Sequence, residues 1–209
     1  MEKNKVLVFL RKHLDFKFNV WAIISLLFIV ASPFILKFSP IEFGYENGVL
    51  ENIQMVILFF ACFVALKTKN LDNKKFFTLV FLILIILILR EVNCGRTLFF
   101  PVEGKVNTFY SWKEIPYGYL AHPIYGAYMG IVGIYFLVNK LWKNLFNILK
   151  DYQLPVFNIL FLLIGMISGM FVEKAFHNDI VEEICELLFY FALVSIIYLY
   201  SFNKQKKID

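Results

Sequence analysis

Cysteine, histidine and arginine are scarce in this 209-residue chain, which has only 3 Cys, 3 His and, by count, 3 Arg. Cys62, Cys94 and Cys185 are widely separated, which excludes a paired disulfide framework and a C-x-x-C metal site. Neither Glu-x-x-His nor His-Glu-x-x-His occurs, so the signatures of di-iron bundles and zinc proteases are also missing. Any metal site must therefore be built mainly from carboxylates.

The chain also lacks a convincing internal repeat. Many secondary transporters consist of two related halves with helices interrupted by Pro or Gly at corresponding positions. Here the third apolar segment ends in Arg90-Glu91, whereas the sixth begins with Glu182-Glu183, and no matching interruptions occur. This difference argues against the common transporter architecture.

Long apolar runs dominate the remainder of the sequence. The composition is 60% hydrophobic and 19% aromatic, with a mean hydropathy of +0.69, which is typical of an integral membrane protein. Because lipid cannot satisfy free backbone groups, we expect an all-α bundle of six transmembrane helices. The predicted spans are 19–37, 48–66, 76–95, 118–138, 154–173 and 182–202.

The distribution of charge predicts the orientation of this bundle. Segments 1–17, 67–75, 139–151 and 203–209 together hold 15 Lys/Arg and 5 Asp/Glu, against 6 and 11 elsewhere. Positive residues favour the cytoplasmic side, so we expect both termini there and no nucleic-acid partner despite a net charge of +5. The basic segment 1–17 precedes a full-length span without a cleavage site, so no removable signal peptide is expected. The single membrane domain, 18–202, ends in a short basic tail.

Two small-residue motifs indicate close helix packing. Gly126-x-x-x-Gly130 and Gly165-x-x-x-Gly169 lie in the fourth and fifth spans, where small residues allow backbones to approach. The first span carries no charge before its last turn and is expected to be a peripheral wall. The aromatic connection 93–117 is expected to lie in the headgroup zone, either as a lid over a site or as an anchor.

The third span ends unusually. Its apolar run 76–89 is about 21 Å long as a helix, which is shorter than the roughly 30 Å hydrocarbon core. Arg90 and Glu91 are therefore expected within the membrane, where ionisable groups usually pair and mark a site.

Other spans carry acids or imidazoles to a similar depth. Counted from the cytoplasmic ends of their spans, Glu51, Glu91, His122 and Glu186 lie about 16 to 18 residues deep, within one helical turn of one another. Glu173, Glu182 and Glu183 lie about one turn higher. The sequence thus predicts one layer of acidic groups near the outer face.

Several carboxylates in a low-dielectric layer require cations, protonation or a bound metal. We expect a divalent metal, with Zn, Mn, Fe, Ca and Mg not distinguished by these ligand types. The candidate metal ligands are Glu51, Glu91, Glu173, His177, Glu183 and Glu186.

The same layer supplies candidates for catalysis and for substrate binding. Glu91, His122 and Glu183 are candidate general acids or bases. Two of the three arginines, Arg90 and Arg96, lie together, and a guanidinium pairs bidentately with carboxylate or phosphate. The candidate substrate-binding residues are Arg90, Arg96, Asn93 and Gln54.

Two stretches resemble a signature of uncharacterised bacterial multi-pass membrane proteins. The stretches are 45–51, Tyr-Glu-Asn-Gly-Val-Leu-Glu, and 90–96, Arg-Glu-Val-Asn-Cys-Gly-Arg. In that signature an acidic-Gly-x-x-Glu segment begins one span and Glu-Glu-hydrophobic-Ser-Trp-Gly-Gln ends the next. The resemblance implies a shared fold and site, and it implies that Cys94 is dispensable. A looser similarity to alkaline ceramidase-like hydrolases, without their His-x-x-x-His pair, implies a scaffold for cleaving lipid-like substrates.

These observations favour a membrane-embedded, metal-dependent hydrolase or transferase. We expect it to act on a lipid or lipid-linked substrate at the extracytoplasmic leaflet of the cytoplasmic membrane. The alternatives are a transporter of protons, cations or a small solute, and a non-catalytic assembly module whose charged layer fixes helix register. A thiol enzyme using Cys94 and His122 is a further alternative. Protein partners are not predicted.

Overall fold

The computed structural model describes residues 12–70, 73–175, 178–202, 204–205 and 208, without the side chains of Glu173 and Ala175. This part of the chain is predominantly helical. It also contains a two-residue parallel strand pair, Leu14–Asp15 (β1) with Leu154–Pro155 (β2), and an antiparallel bridge between Pro101 and Phe109. The helices are α1 Val20–Phe38, α2 Val49–Leu66, α3 Lys74–Glu91, α4 Arg96–Phe99, α5 Ala121–Val138, α6 Leu141–Asp151, α7 Val156–Ala175 and α8 Asp179–Ser201. The predicted all-α class is confirmed.

Three helical segments are long and apolar enough to cross a membrane: Val20–Phe38, Ile41–Leu66 and Gly118–Val138. A fourth exists if α3 and the segment Asn93–Phe99, bent by 57°, form one span. α7 contains a shorter apolar helix, Val156–Val172. Among the described residues the helices thus support a membrane protein with three or four such spans.

α8 is the central helix of the fold. Its buried residues recur along its whole length, from Ile184 through Tyr190 and Val194 to Ser201, and it packs against α1, α2 and α7. Leu58 of α2, Leu84 of α3 and Tyr190 form one core cluster with its apolar neighbours. Burying these side chains removes them from lipid and fixes the relative rotation of the three helices.

The two glycine motifs have different outcomes. A Cβ on Gly165 would lie 2.6 Å from the Phe189 backbone nitrogen and 2.9 Å from the Cys185 carbonyl oxygen, so only glycine permits this α7–α8 contact. That packing prediction is confirmed. Gly126 and Gly130 face open space within the described chain, so the prediction for α5 is wrong there. A Gly-x-x-x-Gly motif leaves room for a close helix contact, but it does not determine whether another helix packs there.

Helices α1, α5 and α6 lie at the periphery of the bundle. α1 is mostly exposed, as predicted, and buries only Ala22 and Ser25. α5 is held against α3 by tyrosine hydroxyls, such as Tyr128, which donates to the Leu82 carbonyl at 3.2 Å. α6 occupies the segment expected to be a cytoplasmic loop, and it buries Ile148 on its apolar face. Its apolar residues Leu141, Leu145 and Ile148 recur at helical spacing, which gives one apolar face and is typical of a helix lying at a membrane surface.

Candidate functional site

A cavity of about 170 Å³ lies where the first turns of α2 and α8 meet the last turn of α3. We call it the acidic cavity, since six carboxylates and one guanidinium surround it. Its lining residues are Glu46, Glu51, Arg90, Glu91, Asn93, Glu182, Glu183 and Glu186. The structure therefore brings together the predicted residues of three different helices. These include four of the six candidate metal ligands.

Arg90 links α3 to α8 at the edge of the acidic cavity. Its Nε lies 3.1 Å from Glu91 Oε1, and its Nη2 forms an ion pair with Glu186 Oε1. The Arg90 side chain remains 53% exposed, whereas that of Glu91 is only 6% exposed. One cation thus compensates two carboxylates and keeps part of its surface available to a ligand.

Tyr190 fixes the position of Glu91 from the opposite side. Its hydroxyl donates to Glu91 Oε1 at 2.5 Å, and the Tyr190 side chain is fully buried. Sequence reasoning missed this residue because a tyrosine in an apolar helix resembles ordinary core. The available signal was its position one helical turn below Glu186, on the same face of α8.

Gln54 supports the acidic cavity from below. Its Nε2 donates to the Glu183 carbonyl oxygen at 3.1 Å and to Glu183 Oε2 at 2.6 Å. Gln54 is fully buried, and its Oε1 has no hydrogen-bond partner in the described structure. The residue expected to bind substrate therefore positions Glu183 and is not part of the cavity lining.

The turn before α2 positions Glu51. The Asn47 amide donates to Glu51 Oε2, and Asn47 Nδ2 donates to the Thr97 carbonyl oxygen at 2.5 Å. A Cβ on Gly48 would lie 2.5 Å from the Tyr45 carbonyl oxygen. Asn47 and Gly48, both in the first quoted stretch, thus have structural roles in holding the cavity together.

The second quoted stretch forms the bend between α3 and α4. Asn93, Cys94 and Gly95 all have positive φ, at 43°, 51° and 90°. Glycine adopts this conformation without strain, and the bend places Asn93 on the cavity wall. Arg96 follows the bend with its buried Nε unpartnered in the described structure. It does not belong to the cavity lining.

Glu46 lies on the rim, outside the helices. Burial raises the pKa of its carboxyl above the ordinary value, and Asp179 adds to the increase, whereas the nearby Arg96 guanidinium opposes it. The Glu46 amide also donates to Asn107 Oδ1 at 3.0 Å. The tip of the 93–117 connection is therefore tied directly to the rim.

The remaining candidate residues are not brought into the acidic cavity. His122 lies at the start of α5, where its ring meets that of Trp112 edge-on with centroids 5.9 Å apart. It is not among the residues that line the cavity. His177 and the Glu173 side chain lie outside the described residues. Equal depth does not bring His122 to the cavity, because α5 packs mainly against α3 at the periphery of the bundle.

No group of three His, Cys, Asp or Glu residues among the described side chains is arranged to hold a metal ion. All four candidate ligands that line the cavity already have protein partners: Glu51 accepts from the Asn47 amide, and Glu186 pairs with Arg90. Glu91 binds Arg90 and Tyr190, and Glu183 accepts from Gln54. Carboxylates fixed separately in this way would have to reorient before they shared one ion.

A second cavity of about 270 Å³ adjoins the acidic cavity and lies between α3 and α7. It shares Arg90, Glu182 and Glu186 with the acidic cavity. Apolar side chains such as Leu87 and Phe189 complete its wall. The charged groups therefore stand at a boundary between a polar space and an apolar one.

These features define a helical membrane protein with a preformed acidic cavity. No protein-family model, curated protein or solved structure matches the chain.

Proposed function

We propose that the protein is a membrane-embedded hydrolase or transferase acting on a lipid or lipid-linked substrate at the extracytoplasmic leaflet. The observation that carries the proposal is that Glu91 is held in the acidic cavity by Tyr190 and by Arg90, and that Arg90 stands at the boundary with the more apolar cavity. A lipid presents a polar bond next to apolar chains. This boundary would bring such a bond to the carboxylates.

The proposal includes six spans with both termini in the cytoplasm. α7 and α8 have 20 and 23 residues, which corresponds to roughly 30–35 Å of helix, enough to cross a hydrocarbon core. The carboxylates of α8 face protein groups such as Arg90 and Gln54, as ionisable residues in membranes usually do. The excess of Lys and Arg on one side supports the orientation in the cytoplasmic membrane.

Three charged groups of the acidic cavity have proposed catalytic or binding roles. Glu91 acts as general base and takes a proton from the attacking water or hydroxyl. Glu183, in its protonated form, donates a proton to the leaving-group oxygen or nitrogen. Arg90 binds a phosphate or carboxylate of the substrate through its exposed guanidinium. Tyr190 and Gln54 position the two carboxyl groups, while the 93–117 connection, tied to Glu46, covers the site.

A divalent metal belongs to the proposal as an additional component. The carboxylates outnumber the one guanidinium around the acidic cavity, and a divalent cation would reduce their mutual repulsion. It would also polarise the bond under attack. Elemental analysis of the detergent-purified protein tests this component. Absence of stoichiometric metal, together with activity in excess chelator, would remove the metal and leave the carboxylate roles.

The enzymatic proposal is tested with the purified protein in lipid extract. Release of phosphate, fatty acid and amine is measured by mass spectrometry. We expect Glu91→Gln to lower turnover by about 10²–10⁴-fold, the usual contribution of a general acid or base. Glu103→Gln removes an exposed loop carboxylate and should preserve turnover. No turnover above a protein-free blank, or equal turnover in both variants, would reject the proposal.

A further inference from the structure

Two neighbouring cavities lie along the same face of α8. The cavity of about 270 Å³ beside Arg90 and a larger one of about 320 Å³ nearer the other end of the bundle share Leu87. α3 forms one wall, α7 the other, and α8 the floor. We call this combined space the α8 groove.

The sequence places suitable side chains along the whole groove. On α8 the lining residues recur every three or four positions, which puts them on one face. That face consists of Glu182, Glu186, Phe189, Leu193, Ile196 and Tyr200. The facing stripe on α3 consists of Phe76, Val80, Ile83, Leu87 and Arg90. The groove is charged at one end and apolar over the rest of its length.

α6 forms part of the wall at the apolar end. Leu145, Ile148 and Leu149 of this helix line the larger cavity. Because α6 is amphipathic, its apolar face covers the end of the groove while Lys143 and Lys150 lie on its polar side.

The dimensions of the groove fit one hydrocarbon chain. From Leu87 to Phe76 the apolar part covers 11 helical rises of α3, or about 17 Å, close to the roughly 15 Å hydrocarbon depth of one leaflet. A cavity of about 320 Å³ over that length is on the order of 5–8 Å wide, narrower than the roughly 10 Å of a helix with its side chains. A partner helix would therefore not enter.

The charged end specifies a headgroup with both signs of charge. The ion pairs of Arg90 use Nε and Nη2, and within the described chain Nη1 has no hydrogen-bonded partner. Nη1 is therefore available to a phosphate oxygen. The acids of the adjoining cavity, including Glu182, Glu186 and Glu46, favour a cation directly beyond that phosphate.

We propose that the α8 groove binds a single-chain phospholipid with an ammonium headgroup, its phosphodiester at Arg90, its ammonium in the acidic cavity and its chain extending to α6. This inference deepens the proposed function by naming a class of substrate, and its placement of the headgroup rests on that function. The binding of the lipid does not depend on turnover.

The test measures lipid binding to the full-length protein by native mass spectrometry in detergent. The probe is lysophosphatidylethanolamine. Three lipids of the same chain length are its comparisons: lysophosphatidic acid without the ammonium, monoacylglycerol without the phosphate, and two-chain phosphatidylethanolamine. We expect the probe to bind at least about tenfold more tightly than each comparison, since a charge-assisted contact or the fit of one chain is lost. Equal binding of the probe and any comparison overturns the proposal.

A pair of variants locates the binding. Ile83 lines the groove and is 42% exposed, so Ile83→Trp narrows the groove without overpacking a buried core. Ile164 is 39% exposed on α7 but does not line the groove, so Ile164→Trp is the matched control. We expect at least about tenfold weaker binding in the first variant and wild-type binding in the second. Equal affinities in both variants overturn the proposal.

Binding and turnover separate the two proposals. A protein that binds the probe selectively in the groove but turns over no lipid supports this inference and rejects the enzyme. A protein that turns over lipid without preference for the probe retains the proposed function and rejects this inference.

Discussion

Replacing Tyr190 by phenylalanine tests whether the acidic cavity is held in place by its hydrogen bonds. The substitution removes only the hydroxyl that donates to Glu91 Oε1 at 2.5 Å. The ring remains in the core formed with Leu58 and Leu84. Any effect therefore reports the contact to the carboxylate and not the loss of packing.

The structure sets the expected magnitude. A hydrogen bond to a charged group contributes about 1.5–3 kcal/mol, against about 1 kcal/mol for a neutral one. Glu91 keeps its ion pair with Arg90 in the variant, so its carboxylate is still compensated by a cation. We expect Tyr190→Phe to lower the free energy of unfolding by about 2 kcal/mol, a roughly 30-fold change in the folding equilibrium.

Tyr200→Phe provides a matched control on the same helix. Tyr200 is also buried, and its hydroxyl donates to the neutral carbonyl oxygen of Gln153 at 3.0 Å. Its loss should lower the free energy of unfolding by about 1 kcal/mol. Unfolding in mixed micelles with increasing denaturing detergent, followed by circular dichroism, gives both values on one scale.

The comparison has a clear failing result. Equal losses in the two variants would show that the Tyr190 hydroxyl contributes no more than an ordinary neutral bond. A more stable Tyr190→Phe protein would show that the desolvated polar network opposes folding. Either outcome would refute the positioning role given to Tyr190. If that role is correct, turnover should also fall with KM unchanged, because Glu91 is less well oriented.

Two further substitutions have defined outcomes. Gly165→Ala should lower the free energy of unfolding by about 2–4 kcal/mol, since its new Cβ overpacks a backbone contact. In the control variant Gly130→Ala the new Cβ meets open space, so the free energy of unfolding should stay unchanged or rise by up to about 1 kcal/mol. Thermal unfolding in detergent compares the two variants. Ser111 holds the pKa of the Glu114 carboxyl below its ordinary value through hydroxyl and amide hydrogen bonds at 2.8 and 2.7 Å. These bonds stabilise the folded protein above the unfolded-state pKa of this carboxyl, and the stabilisation is lost as the pH falls through the folded-state pKa. Ser111→Ala should raise that pKa in an NMR titration, and an unchanged value would show that the hydroxyl contributes nothing.

Much of the helical arrangement could be predicted from apolar runs alone. The predicted spans 19–37 and 48–66 agree closely with Val20–Phe38 and Val49–Leu66, because lipid-length hydrophobic segments have few alternatives to a helix. The convergence of Glu51 and Glu91 on one cavity also agrees with the predicted layer. Whether that cavity is a functional site stays a prediction.

Helix ends and the contacts of individual side chains could not be predicted from the spacing of apolar residues. The third span was predicted to continue to residue 95, yet α3 ends at Glu91 because Asn93 and Cys94 adopt left-handed backbone conformations. The lysines of segment 139–151 predict a cytoplasmic loop. Helix α6 was not predicted there, because the apolar face of that segment was not considered. His122 does not line the cavity, because its ring contacts that of Trp112 at the start of α5.

In the proposed six-span topology, the acidic residues of α8 make this helix unfavourable in lipid by itself. The same residues explain why α8 lies at the centre of the bundle. Asp179, Glu182, Glu183 and Glu186 occupy its first turns, and isolated carboxylates there would oppose insertion. Glu183 and Glu186 instead meet Gln54 of α2 and Arg90 of α3. α8 is therefore compatible with lipid only when those helices surround it. The contacts that permit this helix to cross the membrane are the same contacts that assemble the acidic cavity, so a variant that removes Arg90 must weaken folding and the site together.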